Sequence, residues 1–177
     1  TLKNLKDIEF GIVYAGAFSP DGGAVLTGTT ENPEIRLLDV ASGQEVKTFD
    51  LEYSPQSISF SPDGRFILSV STYEPPRLFD MASGKALQTF ELQEGKLRHL
   101  LGSKGSWTSA AFSPDGKSVL ASNADGTVRL WDVATGKEIR TFVGHDDHVT
   151  FAAFSPDGKF IVSGSKDNTI RLWDKES

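Results

Sequence analysis

The sequence has no cysteine among its 177 residues. This excludes a disulfide framework, a thiol nucleophile and a thiolate metal site. No apolar run reaches the ~18 residues of a membrane-spanning helix, and Thr1–Lys6 lacks the apolar segment of a secretory signal peptide. The absence of cysteine fits a reducing compartment, so we predict a cytoplasmic protein with no membrane partner.

Basic residues are also in short supply. The chain has 18 Lys and Arg against 24 Asp and Glu, for a formal net charge of −6, and neither sign forms a block. Proteins that bind nucleic acid generally use clustered Lys and Arg, so we predict no nucleic-acid partner. A sustained helical period is missing too, although Leu92–Leu101 is compatible with a turn or two of helix.

What the chain does contain is one motif in four copies. Phe-Ser-Pro-Asp-Gly occurs at Phe18–Gly22, Phe60–Gly64, Phe112–Gly116 and Phe154–Gly158, and its phenylalanines recur after 42, 52 and 42 residues. A period near 40 residues indicates a repeat architecture. Pro fixes φ and Gly adopts a positive φ, so each Ser-Pro-Asp-Gly is predicted to be a turn.

The segments around each motif are predicted to be short strands. An apolar run follows the motif, then a polar turn, then Arg-Leu-aromatic-Asp or a relative of it. In three units an Ala-Ser/Thr-Gly turn and a fourth strand come next, whereas the last unit reaches Thr169–Asp174 without them. Strands at this spacing predict an all-β fold of antiparallel sheets, one sheet for each unit.

The last unit carries a family resemblance. Gly144-His145, Phe154–Gly158, Ser163–Ser165, Asp167 and Arg171–Asp174 together resemble one complete WD repeat of the β-transducin type. The resemblance implies a β-propeller of four-stranded blades, with residues 1–177 as a single domain. Its repeats would lie at roughly 5–39, 46–80, 87–132 and 138–174, and residues 1–5 would be a strand that completes the last blade.

The resemblance also implies a buried structural tetrad of His145, Ser163, Asp167 and Trp173. Trp offers one donor, while neutral His and Ser each offer a donor and an acceptor, so the four groups can satisfy one another. A catalytic His/Asp/Ser set is the alternative, and it is disfavoured because Trp173 closes the hydrogen-bond chain.

The other three units depart from this tetrad. The third keeps Asp125 and Trp131 but has Ser103 and Ala121 at the His and Ser positions; the second has Ser69 and Phe79; the first has Thr27 and Leu38. We expect little harm to the fold, because replacing all the partners by apolar groups is nearly neutral.

Two patterns could suggest an ion site. His145-Asp146-Asp147-His148 has ligand types suited to a metal, but His145 belongs to the tetrad and the aspartates suit a turn. Arginines recur at one repeat position, as Arg36, Arg77, Arg129 and Arg171. They indicate packing or ion pairs between sheets, with a phosphate-binding ring as the alternative. We predict no metal and no cofactor.

Candidate binding residues cluster on the propeller face that carries the His loops, which in this family commonly binds peptides. They are Tyr53, Tyr73, Arg98, His99, Trp107, His148 and Lys166. The aromatic residues could equally be loop packing. Because Arg98 and His99 bring basic character to the insertion before Trp107, an acidic or phosphorylated peptide is the predicted ligand.

The predicted function is a non-enzymatic protein–protein interaction scaffold. One alternative is an enzyme with a site in the central channel, but the predicted inner strands are small and uncharged, as in Thr108–Ala111. A second alternative is a repeat fragment or engineered half-propeller with no function beyond self-assembly.

Four units are fewer than the seven or eight blades usual in this family. We therefore predict a homodimer of eight blades, in which Thr1–Leu5 of each chain adds to the edge of the last blade of the other. A fragment that needs further blades and a closed four-bladed monomer are the alternatives.

Overall fold

A computed structural model describes residues 13–29, 32–91 and 106–177, and in these ranges the chain forms fifteen strands and no helix. The all-β class and the antiparallel pairing are thereby confirmed. The predicted strand Thr1–Leu5 and the candidate helix Leu92–Leu101 lie outside the described residues.

The strands form four antiparallel sheets in chain order. Sheet I contains β1 (Val13–Phe18), β2 (Ala24–Thr29), β3 (Glu34–Asp39) and β4 (Glu45–Asp50). Sheet II contains β5 (Pro55–Phe60), β6 (Phe66–Ser71), β7 (Arg77–Asp80) and β8 (Ala86–Thr89). Sheet III contains β9 (Trp107–Phe112), β10 (Ser118–Asn123), β11 (Thr127–Asp132) and β12 (Glu138–Val143). Sheet IV has three strands in the described residues, β13 (Val149–Phe154), β14 (Phe160–Ser165) and β15 (Ile170–Asp174).

The four Ser-Pro-Asp-Gly turns share one hydrogen-bond pattern. In the second copy, Ser61 Oγ donates to Asp63 Oδ1 at 2.6 Å, Arg65 N donates to the same oxygen at 3.1 Å, and Phe66 N donates to Ser61 Oγ at 2.9 Å. The glycine that ends each turn has φ between 70° and 73°, a conformation that glycine adopts without strain. The motif therefore fixes the hairpin between the first two strands of each sheet through local contacts alone.

A second local pattern joins the third and fourth strands. Asp132 Oδ1, at the end of β11, accepts hydrogen bonds from Thr135 N at 2.8 Å and Thr135 Oγ1 at 2.7 Å. Asp39 with Ser42, and Asp80 with Ser83, repeat the arrangement. The Asp that ends the third strand of sheets I, II and III is thus a turn residue.

The hydrophobic core lies between the sheets. One cluster joins sheets I and II around Leu26, Ile35 and Ile67, a second joins sheets II and III, and a third joins sheets III and IV around Leu120 and Ile161. The inner strands β1, β5, β9 and β13 lie side by side in that order. Each sheet therefore buries its face against its neighbour in sequence.

An aromatic pair lies at each of these three junctions. Its first member is a Phe at or just after the fourth strand, and its second is the aromatic residue on the third strand of the next sheet. Ring centroids are 6.3 Å apart for Phe49–Phe79, 6.0 Å for Phe90–Trp131 and 5.7 Å for Phe142–Trp173. The distances and tilted or edge-on rings are those of favourable aromatic contacts.

The turn aspartates predict how stability depends on pH. In all four turns the hydrogen bond from Ser, followed by one from the backbone, lowers the pKa of the Asp below its ordinary value of 3.8. A depressed folded-state pKa contributes stability that is present above the ordinary value and is lost as the pH falls below it. We expect the urea midpoint to fall between pH 5 and pH 3, and to fall less in Asp115→Asn. Asp50→Asn, which removes an exposed carboxylate outside the turns, controls for net charge. An equal fall in parent and Asp115→Asn would contradict the prediction.

Candidate binding face and buried polar network

Sheet IV brings the four predicted tetrad residues into one hydrogen-bonded chain. Trp173 Nε1 donates to Ser163 Oγ at 2.8 Å, Ser163 Oγ lies 2.8 Å from His145 Nε2, and His145 Nδ1 lies 2.7 Å from Asp167 Oδ2. With Nδ1–H donating to the carboxylate, Nε2 of a neutral imidazole accepts from the Ser163 hydroxyl. All four groups are thereby matched as donor and acceptor, in the order Trp, Ser, His, Asp.

Asp167 is the acceptor at the end of this chain. Burial opposes its ionisation, but hydrogen bonds from Thr169 and His145, with backbone bonds from Thr169 and Asp146, outweigh that effect and hold the pKa of Asp167 far below its ordinary value. Ser163 is fully buried and its hydroxyl is held between two partners. This arrangement favours a structural role, because the hydroxyl has no path to a substrate.

The other three sheets each retain one half of the Trp–Ser pair, and in sheets III and I the retained polar atom has no partner among the described residues. In sheet III, Ala121 occupies the position of Ser163, and the buried Nε1 of Trp131 has no hydrogen-bond partner among the described residues. In sheet I, Leu38 occupies the Trp position, and the buried Oγ1 of Thr27 likewise lacks a partner in the described ranges. In each of these sheets only one member of the Trp–Ser pair is replaced, so the other is left without its counterpart; the expectation of little harm to the fold stays a prediction.

Three of the four recurring arginines form ion pairs within their own sheet, and the expected packing or ion pairing between sheets stays a prediction. Arg129 Nη2 lies 2.9 Å from Asp125 Oδ2 and Arg129 Nη1 lies 3.8 Å from Glu138 Oε2, all in sheet III. Arg36 pairs with Glu34 and Glu45 in sheet I, and Arg77 with Glu74 in sheet II. These carboxylates neutralise the guanidinium groups, which disfavours the phosphate-ring alternative.

Tyr53 and Tyr73 come together at the loops of sheets I and II. Their ring centroids lie 5.4 Å apart at 54°, and Tyr73 is 57% exposed. They line an open groove with Pro33, Glu52, Ser54, Gln56 and Thr72. This groove, called the tyrosine groove below, presents two aromatic rings to solvent beside a carboxylate.

The electrostatics of the tyrosine groove are negative. The charge of Glu52 is the main cause that raises the pKa of Tyr53. Burial is the main cause that raises the pKa of Glu74. The charge of Arg77 lowers this pKa, and the charge of Glu52 raises it further. Sequence reasoning selected both tyrosines but missed the glutamates, although each tyrosine has a Glu beside it in the sequence.

The remaining candidate residues do not join the tyrosine groove. Trp107 is only 1% exposed and packs edge-on against Trp131 with centroids 5.6 Å apart, so the loop-packing alternative holds and Trp107 offers no surface to a ligand. His148 and Lys166 are exposed at the loops of sheet IV, where Lys166 N donates to His148 O at 2.9 Å. Arg98 and His99 lie outside the described residues.

The His145–His148 segment does not assemble a metal site. The His145 imidazole is turned inward to Asp167, whereas His148 Nε2 lies 3.9 Å from Asp147 at the surface. Across the described ranges no group of three or more His, Cys, Asp or Glu residues is arranged to hold a metal ion.

Comparison with known proteins identifies the repeats. Residues 95–132 and 136–174 match the family model "WD domain, G-beta repeat". A WD repeat-containing protein of Nostoc sp. is 50% identical over 42 residues, covering 24% of this chain and 3% of that protein. The predicted resemblance is thus confirmed: these two segments are WD repeats.

Longer matches extend over most of the chain. Eukaryotic translation initiation factor 3 subunit I of Emericella nidulans is 29% identical over 145 residues, covering 79% of this chain and 43% of that protein. The human U3 small nucleolar RNA-associated protein 18 homolog is 28% identical over 140 residues, covering 74% and 22%. The chain therefore spans less than half the length of these relatives.

No helix that could cross a membrane is found in the part of the chain that the structure describes.

The sheet IV network predicts a stability effect. Trp173→Ala removes the ring that packs on Phe142 and the N–H that donates to Ser163. We expect the free energy of unfolding to fall by about 3 kcal/mol. His145→Ala removes one hydrogen-bond partner from Ser163 and one from Asp167, and it is expected to lower the free energy of unfolding by roughly 1–3 kcal/mol. Chemical denaturation gives both values. If both variants unfold like the parent but lose a binding activity, the network does not have a structural role.

The half-network of sheet III predicts a stabilising substitution. Ala121→Ser places a hydroxyl where Ser163 meets Trp173 in sheet IV, so Trp131 Nε1 gains an acceptor. We expect a gain of about 1 kcal/mol in the free energy of unfolding. In a Trp131→Phe background the same substitution has no N–H to satisfy, and the gain should vanish. An equal effect in both backgrounds would show that the hydrogen bond is not its cause.

Proposed function

We propose that this protein is a non-catalytic scaffold that binds a protein or peptide partner at the tyrosine groove. The tyrosine pair beside the exposed carboxylate of Glu52 carries the proposal. Relatives named as a subunit of an initiation factor and as an RNA-associated protein support a role in assemblies. The cytoplasmic location stays a prediction.

The groove favours a ligand with Lys or Arg side chains. A cation is attracted by the faces of aromatic rings, and Glu52 adds an exposed carboxylate beside them. This differs from the acidic or phosphorylated peptide expected from Arg98 and His99, because the carboxylate of Glu52 would repel such a ligand.

An enzyme site in the channel has less support. The inner-strand hydroxyls of Thr108 and Ser109 both hydrogen-bond to Ser122 Oγ, at 2.6 and 2.7 Å, and further bonds join them to β13. They therefore connect sheets III and IV. Within the described residues no His or carboxylate hydrogen-bonds to these hydroxyls, so none is in position to act on them as a general base.

We further propose that two copies assemble into one ring, with Thr1–Leu5 of each adding to the edge of β15 in the other. Support comes from sheet IV, which has three strands in the described residues where the other sheets have four. Open strand edges are available for pairing with another chain. A closed four-bladed monomer is disfavoured because large apolar side chains of sheets I and IV are exposed, and a chain that needs further blades is the remaining alternative.

The ligand proposal is tested with an array of peptides matched in length and aromatic content, one set rich in Lys and Arg and one rich in Glu and phosphoserine. We expect retention of basic peptides, and about tenfold weaker binding by Tyr73→Ala, consistent with the loss of one aromatic contact. Leu87→Ala, an exposed apolar residue on β8 away from the groove, is the matched control. Equal binding by parent and Tyr73→Ala, or a preference for the acidic set, would overturn the proposal.

A further inference from the structure

The junctions between inner strands follow a fixed positional rule. Ser57 Oγ on β5 accepts a hydrogen bond from Ala110 N on β9 at 3.4 Å. Ser109 Oγ on β9 accepts one from Ala152 N on β13 at 3.0 Å. A residue on one inner strand therefore contacts the residue of the next inner strand that lies one place later in the repeat.

Strand register identifies the equivalent residues in all four sheets. The donor-side position is occupied by Gly16, Ile58, Ala110 and Ala152, which pair with Thr27, Ser69, Ala121 and Ser163 of their second strands. The acceptor-side position is occupied by Ala15, Ser57, Ser109 and Phe151, each one residue earlier. At the first junction Ala15 and Ile58 belong to one buried cluster. The three formed junctions thus pair Ala with Ile and, twice, Ser with Ala.

Two of these eight positions, those of Phe151 and Gly16, belong to no formed junction, and they hold the largest and the smallest of the eight residues. Phe151 stands where the other sheets have Ala or Ser, and it is 44% exposed with its ring over Gly164. Gly16 is exposed and lacks a positive φ, and a Cβ there would meet only Leu26 O at an ordinary 3.6 Å. Nothing in sheet I therefore requires glycine at this position. The largest side chain on one end of the array matches the missing side chain on the other.

The surfaces around Phe151 and Gly16 continue the chemistry of the formed junctions. Phe18 on sheet I is 70% exposed, whereas its equivalents Phe60, Phe112 and Phe154 pack into the clusters between sheets. On sheet IV, Ile170 and Leu172 are 74% and 71% exposed, whereas their sheet III equivalents, Val128 and Leu130, are fully buried. Both end faces are therefore junction faces without a neighbour among the described residues.

We propose that the end face of sheet IV docks on the end face of sheet I of a second copy of this chain, with Phe151 filling the space that Gly16 leaves. This inference rests on the proposed assembly of two copies and names the surfaces that meet. The second copy is the occupant because the largest side chain at these positions, Phe151, matches the smallest residue, Gly16, and both are exposed in the described residues of one chain. Such a head-to-tail contact, formed twice about a two-fold axis, closes without leaving an open end.

The absence of cysteine allows a direct test by cross-linking. A tagged copy carrying Gly16→Cys is co-expressed with an untagged copy carrying Phe151→Cys, and the mixture is oxidised. Disulfides form only when the Cα atoms come within about 7 Å. We expect a reducible heterodimer near twice 19.2 kDa on a denaturing gel. Ser109→Cys with Ala152→Cys in one chain is the positive control, since those positions already touch, and Val46→Cys in place of Gly16→Cys is the negative control.

Light scattering of the parent separates this inference from the proposed assembly. A dimer mass with the cross-link supports both. A dimer mass without the cross-link overturns the pairing of end faces and leaves assembly by strand exchange standing. A mass of 19.2 kDa at micromolar concentration overturns both, as does a bridge formed within one chain that carries both cysteines. Gly16→Leu should weaken the dimer by about tenfold or more, as overpacking predicts, whereas Val46→Leu should not.

Discussion

Contact between neighbouring sheets is the constraint on which the rest of this molecule depends. A Phe at or next to the fourth strand of one sheet packs on the third-strand aromatic residue of the next, at all three formed junctions. The buried clusters have the same placement, because each is built from two adjacent sheets. One repeat cannot bury its own hydrophobic faces, so stability comes from stacking neighbours. This explains why any uncovered end of the array is apolar.

The polar network is secondary to this packing. Trp131 keeps its ring contacts with Phe90 and Trp107 although its N–H has lost an acceptor. Thr27, conversely, keeps its hydroxyl, but Leu38 stands where a Trp would donate a hydrogen bond to it. An aromatic or aliphatic side chain is therefore retained at the Trp position even where the hydrogen bond is gone. Burial of a large ring contributes more than one net hydrogen bond, which is worth about 1 kcal/mol.

Local features of this fold could be predicted from the sequence, and those that join distant loops could not. The Ser-Pro-Asp-Gly hairpins are fixed by hydrogen bonds that span at most five residues, so the motif alone specifies them. The arginine positions were also visible, but their partners depend on strand register, which places Glu138 of β12 beside Arg129 of β11.

The tyrosine groove and Trp107 show the limits of sequence reasoning. Tyr53 and Tyr73 come from loops of different sheets, so their contact and the shared negative charge require the folded arrangement. Trp107 follows the insertion in the sequence, which places it among the candidate loop aromatics. In the fold it begins β9 and points into the junction of sheets II and III, where it meets Trp131.

Arg171 links the electrostatics of the repeat to its assembly. Arg36 and Arg129 each have a glutamate of the fourth strand within 4 Å, namely Glu45 and Glu138. Arg171 instead lies over the Trp173 ring, and its buried Nε has no hydrogen-bond partner among the described residues. Because a buried N–H without a partner is unfavourable, the strand that we propose to cover β15 would gain most by bringing an acceptor, such as a carboxylate, to this position. Thr1–Leu5 contains no carboxylate, and the first carboxylates in the sequence are Asp7 and Glu9. The proposed strand exchange would therefore be constrained in register by this N–H as well as by the apolar face that the added strand would cover.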